Sequence, residues 1–125
     1  MDTAPDATVA ALNTAIVTGD AEAVIALLAP GAIAWHNDDK VEMDAAANMK
    51  RLLGLHQLVD GIAVDVLQTE SLESGFLQRF VLRGTVRSNG NELAAHNCVV
   101  VHVADGLITR IDEYVDPTFG AQLGF

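Results

Sequence analysis

The chain has 125 residues, half of them apolar, with 17 acidic against 7 basic side chains and a formal net charge of −10. That length suits a single domain over residues 1–125, because a chain of this size buries roughly two thirds of its unfolded surface. A membrane span is excluded, since Asp, Gly, His or Lys breaks every apolar stretch before about 18 residues; nucleic acid and anionic lipid are excluded as partners, since phosphates need clustered cations.

In chain order, Val9, Leu12, Ile16 and Val17 recur at helical spacing, and Gly19 supplies the stop. Asp20 caps a second, short helix carrying Val24, Ile25, Leu27 and Leu28, closed by Pro30-Gly31. Ala32–His36 reads as a short extended segment. Asp44 caps a third helix with Met49, Leu52, Leu53 and His56 on one face, and Asp60-Gly61 reads as a turn. From Ile62 the apolar period becomes two, which predicts strands over Ile62–Thr69, Phe76–Arg87, Leu93–Val103 and Leu107–Asp116. Asn89-Gly90 and Asp105-Gly106 join the last three as hairpins. Helices followed by antiparallel strands predict an α+β fold: three helices on one face of a curved four-stranded sheet, with Ala32–His36 at an edge. Long strands on a curved sheet wrap a pocket.

The register of the last hairpin decides which polar groups share a face. A three-residue loop with Gly106 in the left-handed region sets Val103 against Leu107 and Asn97 against Glu113. Ala95, Asn97, Val99 and Val101 then lie with Thr109, Ile111, Glu113 and Val115. A two-residue loop instead sets Cys98 opposite Glu113 and turns His96 and His102 to that face. The first register is preferred, because it makes the more apolar face internal.

Glu113 then stands among apolar neighbours, where burial favours the neutral carboxyl and suits it to acid/base work. The plainer alternative is a strand carboxylate paired with an arginine. Asn97 is suited to polarise a carbonyl or hold a water, and Asn37 to do so from across the cavity or to form an Asx turn. Trp35 offers a flat apolar wall with one N–H donor, or simply core. His36, beside Asp38 and Asp39, is either a base held by a carboxylate or a half-exposed strand end. His56 closes the third helix, and Cys98 reads as a small core residue. His96 and His102 lie roughly 20 Å apart along one strand, too far to share an ion, so no metal is expected. No phosphate loop or dinucleotide fingerprint occurs, and no cofactor is expected.

Two segments, Ala32-Ile-Ala-Trp-His-Asn37 and Asp105-Gly-Leu-Ile-Thr-Arg-Ile-Asp-Glu-Tyr-Val-Asp116, together with the element order, resemble the nuclear transport factor 2-like superfamily. That group includes SnoaL-like polyketide cyclases, ketosteroid isomerases, limonene epoxide hydrolases and scytalone dehydratases. The resemblance implies a cone-like curved sheet with helices on its concave face, enclosing a pocket. It sets Asn37 where the isomerases keep an aspartate base and the hydrolases a water-holding asparagine, with Trp35 at the hydrolases' tyrosine. Glu113 falls on a carboxylate of the hydrolases. Gln78 and Phe80 fall among the cavity-facing positions of the strand that carries the hydrolases' arginine and second acid, neither of which this chain has there. Glu113 is therefore expected to lack a cation on the facing strand.

The expected activity is cofactor-independent acid/base chemistry on a hydrophobic small molecule: isomerisation, cyclisation, dehydration or epoxide hydration. Glu113, Asn37 and Asn97 are its candidate catalytic residues, and Trp35, Gln78 and Phe80 its candidate substrate contacts. The alternative is a non-catalytic ligand-binding or dimerisation module of the same fold. A homodimer is expected, because the outer sheet face carries Val100 with Arg and His residues, and exposed long strands are normally covered. Arg79, Arg83 and Arg87 form a solvated or subunit-facing stripe. The opening segment lacks the basic stretch of a secretory signal, and a cytoplasmic setting is expected. A single cysteine allows neither an internal disulfide nor a cysteine-rich zinc site.

Overall fold

Helix α1 (Ala4–Thr18) buries Val9, Leu12 and Ala15 along one side. The structure, a computed structural model, describes residues 4–125. Gly19, with φ +74°, ends α1, and the Asp20 side chain accepts from the Ala23 N–H at 3.1 Å to start α2 (Ala21–Ala26). Asp44 caps α3 (Ala45–Leu53) in the same way, accepting from the Ala47 N–H at 3.0 Å. A 3₁₀ turn over Gly54–Gln57 follows, and there the His56 ring sits 2.8 Å from the Ile16 carbonyl, tying the end of α3 to the last turn of α1. A fourth helix, α4 (Phe119–Gln122), was not expected. Its Gln122 amide accepts from the Ala94 N–H at 2.8 Å and donates to the Ala94 carbonyl at 3.1 Å, while Leu123 and Phe119 pack on Leu55, Leu82 and Leu93.

The strands are β1 (Leu28–His36), β2 (Glu42–Asp44), β3 (Val59–Leu72), β4 (Gly75–Val86), β5 (Glu92–Ala104) and β6 (Leu107–Tyr114). They form one curved six-stranded sheet in the order β2-β1-β6-β5-β4-β3. The fold is α+β, as the patterning implied, with three corrections. Pro30-Gly31 does not end the second helix but lies inside β1, where the pairing with β6 breaks between Leu28 and Ile33. Proline cannot donate to a ladder, so the strand bulges there and continues. Asp60-Gly61 is likewise a bulge within β3 rather than a turn before it, the pairing jumping from Asp60↔Thr85 to Ala63↔Arg83. Finally, Ala32–His36 is not at an edge. The short β2 covers its outer side antiparallel, and β1 runs parallel to β6 on the other.

The last hairpin has the two-residue loop that stood as the alternative, but its register at Glu113 departs from both expectations. Asp105 (φ +52°) and Gly106 (φ +78°) form a two-residue loop with both residues in the left-handed region, pairing Ala104 with Leu107. That loop alone would turn Glu113 to the outer face. One extra residue, Thr109, then shifts the ladder between Val103↔Ile108 and His102↔Arg110. A one-residue shift flips every side chain beyond it, so loop and bulge together restore Glu113 to the inner face. Its partner is Val99, not Asn97 or Cys98.

The inner face packs on the helices. Phe76, Val101, Ile108 and Ile111 meet Val9, Leu12, Val24 and Met49 in the main core cluster. On the outer face the arginines pair across to β3: Arg83 with Asp65 at 3.3 Å, Arg87 with Asp60 at 2.6 Å, and Arg79 with Gln68 at 2.8 Å. No helix among the described residues is long and apolar enough to cross a membrane.

Candidate functional site

Parallel pairing of β1 with β6 sets His36 beside Glu113 and Ala34 beside Ile111. Along β1 the inward residues are Ala32, Ala34 and His36, each buried, so Ile33 and Trp35 take the other face. His36 Nε2 lies 3.1 Å from Glu113 Oε2. From α3, Asn48, only 4% exposed, donates its Nδ2 to Glu113 Oε1 at 3.0 Å. Both carboxylate oxygens are thus held, one by a helix and one by a strand. The bond to Glu113 raises the His36 pKa above its ordinary 6.5; burial opposes this, and the charges of Glu113, Asp38 and Asp39 add to the rise. No cation on the facing strand meets Glu113 among the described residues, but the carboxylate is not left alone, because His36 pairs with it. The partner comes from the neighbouring parallel strand and not from the facing one.

Two chambers share this wall. The inner one, about 60 Å³, is bounded by α1 (Leu12, Asn13, Ile16), by Phe76, Gln78 and Phe80 of β4, and by Val99 and Val101 of β5. The outer one, about 170 Å³, is bounded by His36, Asp38, Asn48, Arg51, Leu55 and Phe119. Glu113, Asn97, Leu52, Leu82 and Val115 line both. The inner chamber has ample room for an ordered water.

Among the residues singled out from sequence, Glu113, Asn97, Gln78 and Phe80 face the chambers. Gln78 is 3% exposed and donates to the Thr69 hydroxyl at 3.1 Å. Asn97 accepts from the Asp116 N–H through Oδ1 at 2.8 Å, which fixes its amide and leaves Nδ2 as the free donor. Trp35 and Asn37 do not face the chambers, because β1 carries His36 inward instead. Trp35 stands edge-on to Tyr114 with ring centroids 5.5 Å apart. Asn37 extends the β1–β6 ladder: its N–H donates to the Glu113 carbonyl at 3.1 Å, and its Oδ1 accepts from the Val115 N–H at 2.8 Å. Asp38 and Asp39 are not the carboxylates that hold His36; they bind their own loop, at Asp39 N–H and Val41 N–H. Asn48 was missed. Its signal was an amide one turn after Ala45 and one turn before Leu52 on the third helix. His96 and Cys98 turn outward with Arg79 and Tyr114.

A carboxylate on Nε2 fixes the neutral histidine as the Nε2–H tautomer. Nδ1, which has no hydrogen-bond partner among the described residues, is then the nitrogen that can take a proton. In the protonated form the same atom can give one back. Asn97 lines the same chamber, and its Nδ2, which has no hydrogen-bond partner among the described residues, is a donor suited to an oxygen on which charge develops.

The sequence matches the SnoaL-like domain family over residues 9–111. No curated protein matches it. Among solved structures, the fold is similar to a candidate polyketide cyclase from Streptomyces antibioticus, at 23% identity and TM-score 0.80, covering 97% of this chain and 99% of that one. An LEH-like epoxide hydrolase of M. tuberculosis is similar at 20% identity and TM-score 0.73, covering 97% and 90%. So is a protein of ketosteroid isomerase-like fold from Catenulispora acidiphila, in complex with trimethylamine, at 14% identity and TM-score 0.78, covering 94% and 92%. Identities this low carry the fold and not the reaction. With helices, sheet order and matched segment in agreement, the chain belongs to the SnoaL-like domain family.

Proposed function

We propose that this domain catalyses proton transfer on an apolar small molecule without a cofactor, in an isomerisation, cyclisation, dehydration or epoxide hydration. The observation that carries this reading is the His36–Glu113 pair, 3.1 Å apart, in the wall of the outer chamber. His36 is the acid/base group, acting at Nδ1. Glu113 fixes its tautomer and raises its basicity, and Asn48 holds the carboxylate in place. Asn97 donates to the substrate oxygen. The role first expected of Glu113 passes to the histidine it holds, and Asn37 supports the strand end that presents that histidine. Phe80 and Gln78 bound the substrate's apolar body.

The assay follows two probes with the purified protein: conversion of a β,γ-unsaturated cyclohexenone to its conjugated isomer, and hydration of limonene oxide. Turnover of either above the buffer rate, with an ascending limb in pH where His36 loses its proton, supports the reading. A second reading, ligand binding without turnover, is favoured by one feature. Gln78 and Phe80 stand on the strand where the resemblance implies an arginine and a second acid, and neither is present there. Saturable binding of the probes with no product at any pH would decide for it.

The same reading includes a homodimer joined through the outer sheet face, where Leu67 and Tyr114 are 51% and 47% exposed. Light scattering at micromolar concentration should give twice the 13.2 kDa of one chain. A mass of 13.2 kDa across the concentration range would rule the dimer out.

A further inference from the structure

Arg51 is the one Lys or Arg lining either chamber among the described residues. Arg83, Arg87 and Arg110 each sit within ion-pair distance of a carboxylate, whereas Arg51 has no such partner among the described residues. It is exposed, in the last turn of α3, one turn beyond the Asn48 that holds Glu113. In a chain with ten more acids than bases, a cation lining the outer chamber without an ion-pair partner among the described residues is available to an anion from solution. The other titratable groups there are His36 and Glu113, which pair with one another at 3.1 Å, and Asp38, which accepts from the Asp39 N–H and lies beyond ion-pair distance of Arg51. The inner chamber, by contrast, is walled mainly by Leu, Ile, Val and Phe, with Asn13, Gln78, Asn97 and Glu113 as its polar members.

We infer that Arg51 is a specificity residue that binds a carboxylate at the outer end of the ligand, while the ligand's apolar body occupies the inner chamber. This rests on the site proposed above and narrows its substrate to an amphiphile with an anionic end. Guanidinium and carboxylate match in geometry, so arginine recognises this group better than a lysine ammonium at the same place. The contact lies at the open end of the site, so it is sensitive to salt.

Titration calorimetry with hydrocinnamate and hydrocinnamyl alcohol, which share one apolar body and differ at the end group, tests the inference. Wild-type protein should bind the acid more tightly than the alcohol, by about tenfold for one charge-assisted contact. Arg51→Gln should remove that preference and leave the alcohol's affinity unchanged. Arg51→Lys should keep part of it, and added salt should weaken only the acid. An acid-to-alcohol ratio unchanged in Arg51→Gln overturns the role of Arg51 while the cavity reading stands. Binding of neither compound to the wild type overturns both, and catalysis is judged separately by the turnover assay.

Discussion

Replacing His36 with glutamine will lower turnover by about 10²–10⁴-fold for any probe that the wild-type protein converts, the range typical of a lost general acid/base. Glutamine keeps a donor near Glu113 Oε2, so the carboxylate is not left without a partner and the fold should persist. What disappears is the nitrogen that takes and returns the proton. The ascending limb of the rate against pH should vanish with it, because no remaining group in the wall has that role. Loss of affinity with unchanged turnover would make His36 a binding residue instead. Retention of activity within a few-fold of wild type would remove it from the chemistry altogether.

Phe76→Ala should destabilise the fold by about 3–5 kcal/mol, the usual range for emptying a buried phenyl site. Phe76 is 1% exposed and packs within the cluster that joins α1 to β4, β5 and β6. Its ring also bounds the inner chamber, so the space it leaves adds to an existing cavity instead of being closed by it. Against a typical stability of about 5–15 kcal/mol, this is a large fraction. Urea denaturation measures it directly. Leu72→Ala, at a position 40% exposed, provides the contrast, with a change within about 0.5 kcal/mol. Equal losses at the two positions would mean that the core has been misplaced.

How far residues alone revealed the site depended on the range of the contacts involved. Period-two patterning from Ile62 onward placed the long strands, and alternation in β6 placed Glu113 inward. Both signals are local. The bulge at Thr109 was not legible, because an extra residue in a strand leaves no mark beyond a β-branched side chain that also suits a regular ladder. Together with the two-residue loop, it changed the partner of Glu113 from the expected Asn97 to Val99 and left Glu113 on the expected face. The pairing of His36 with Glu113 was invisible for a different reason. It arises from a parallel contact between β1 and β6, and nothing near either residue announces it. The inward face of β1 therefore went to Trp35 and Asn37, when Ala32, Ala34 and His36 occupy it. Small alanines there let β1 lie close beneath α3: Ala32, Ala34 and Ala45 form their own packed cluster. β2 was too short to register as a strand, and α4 too short to register as a helix.

Titration supplies a further consequence of the pair. A histidine with a raised pKa stabilises the fold fully below its unfolded value, near 6.5, and that contribution is lost as pH rises through the folded value. Deprotonation therefore weakens the contact between β1 and β6 in the same pH range in which it creates the base.

Proton NMR of the His36 ring during a pH titration, in wild-type protein and in Glu113→Gln, tests the central claim without requiring a substrate. The His36–Glu113 pair predicts a midpoint above 6.5 in the wild type and a fall toward or below 6.5 in the variant, where burial is no longer opposed by the carboxylate. A midpoint that stays the same when Glu113 is neutralised would show that the two residues do not act as a pair.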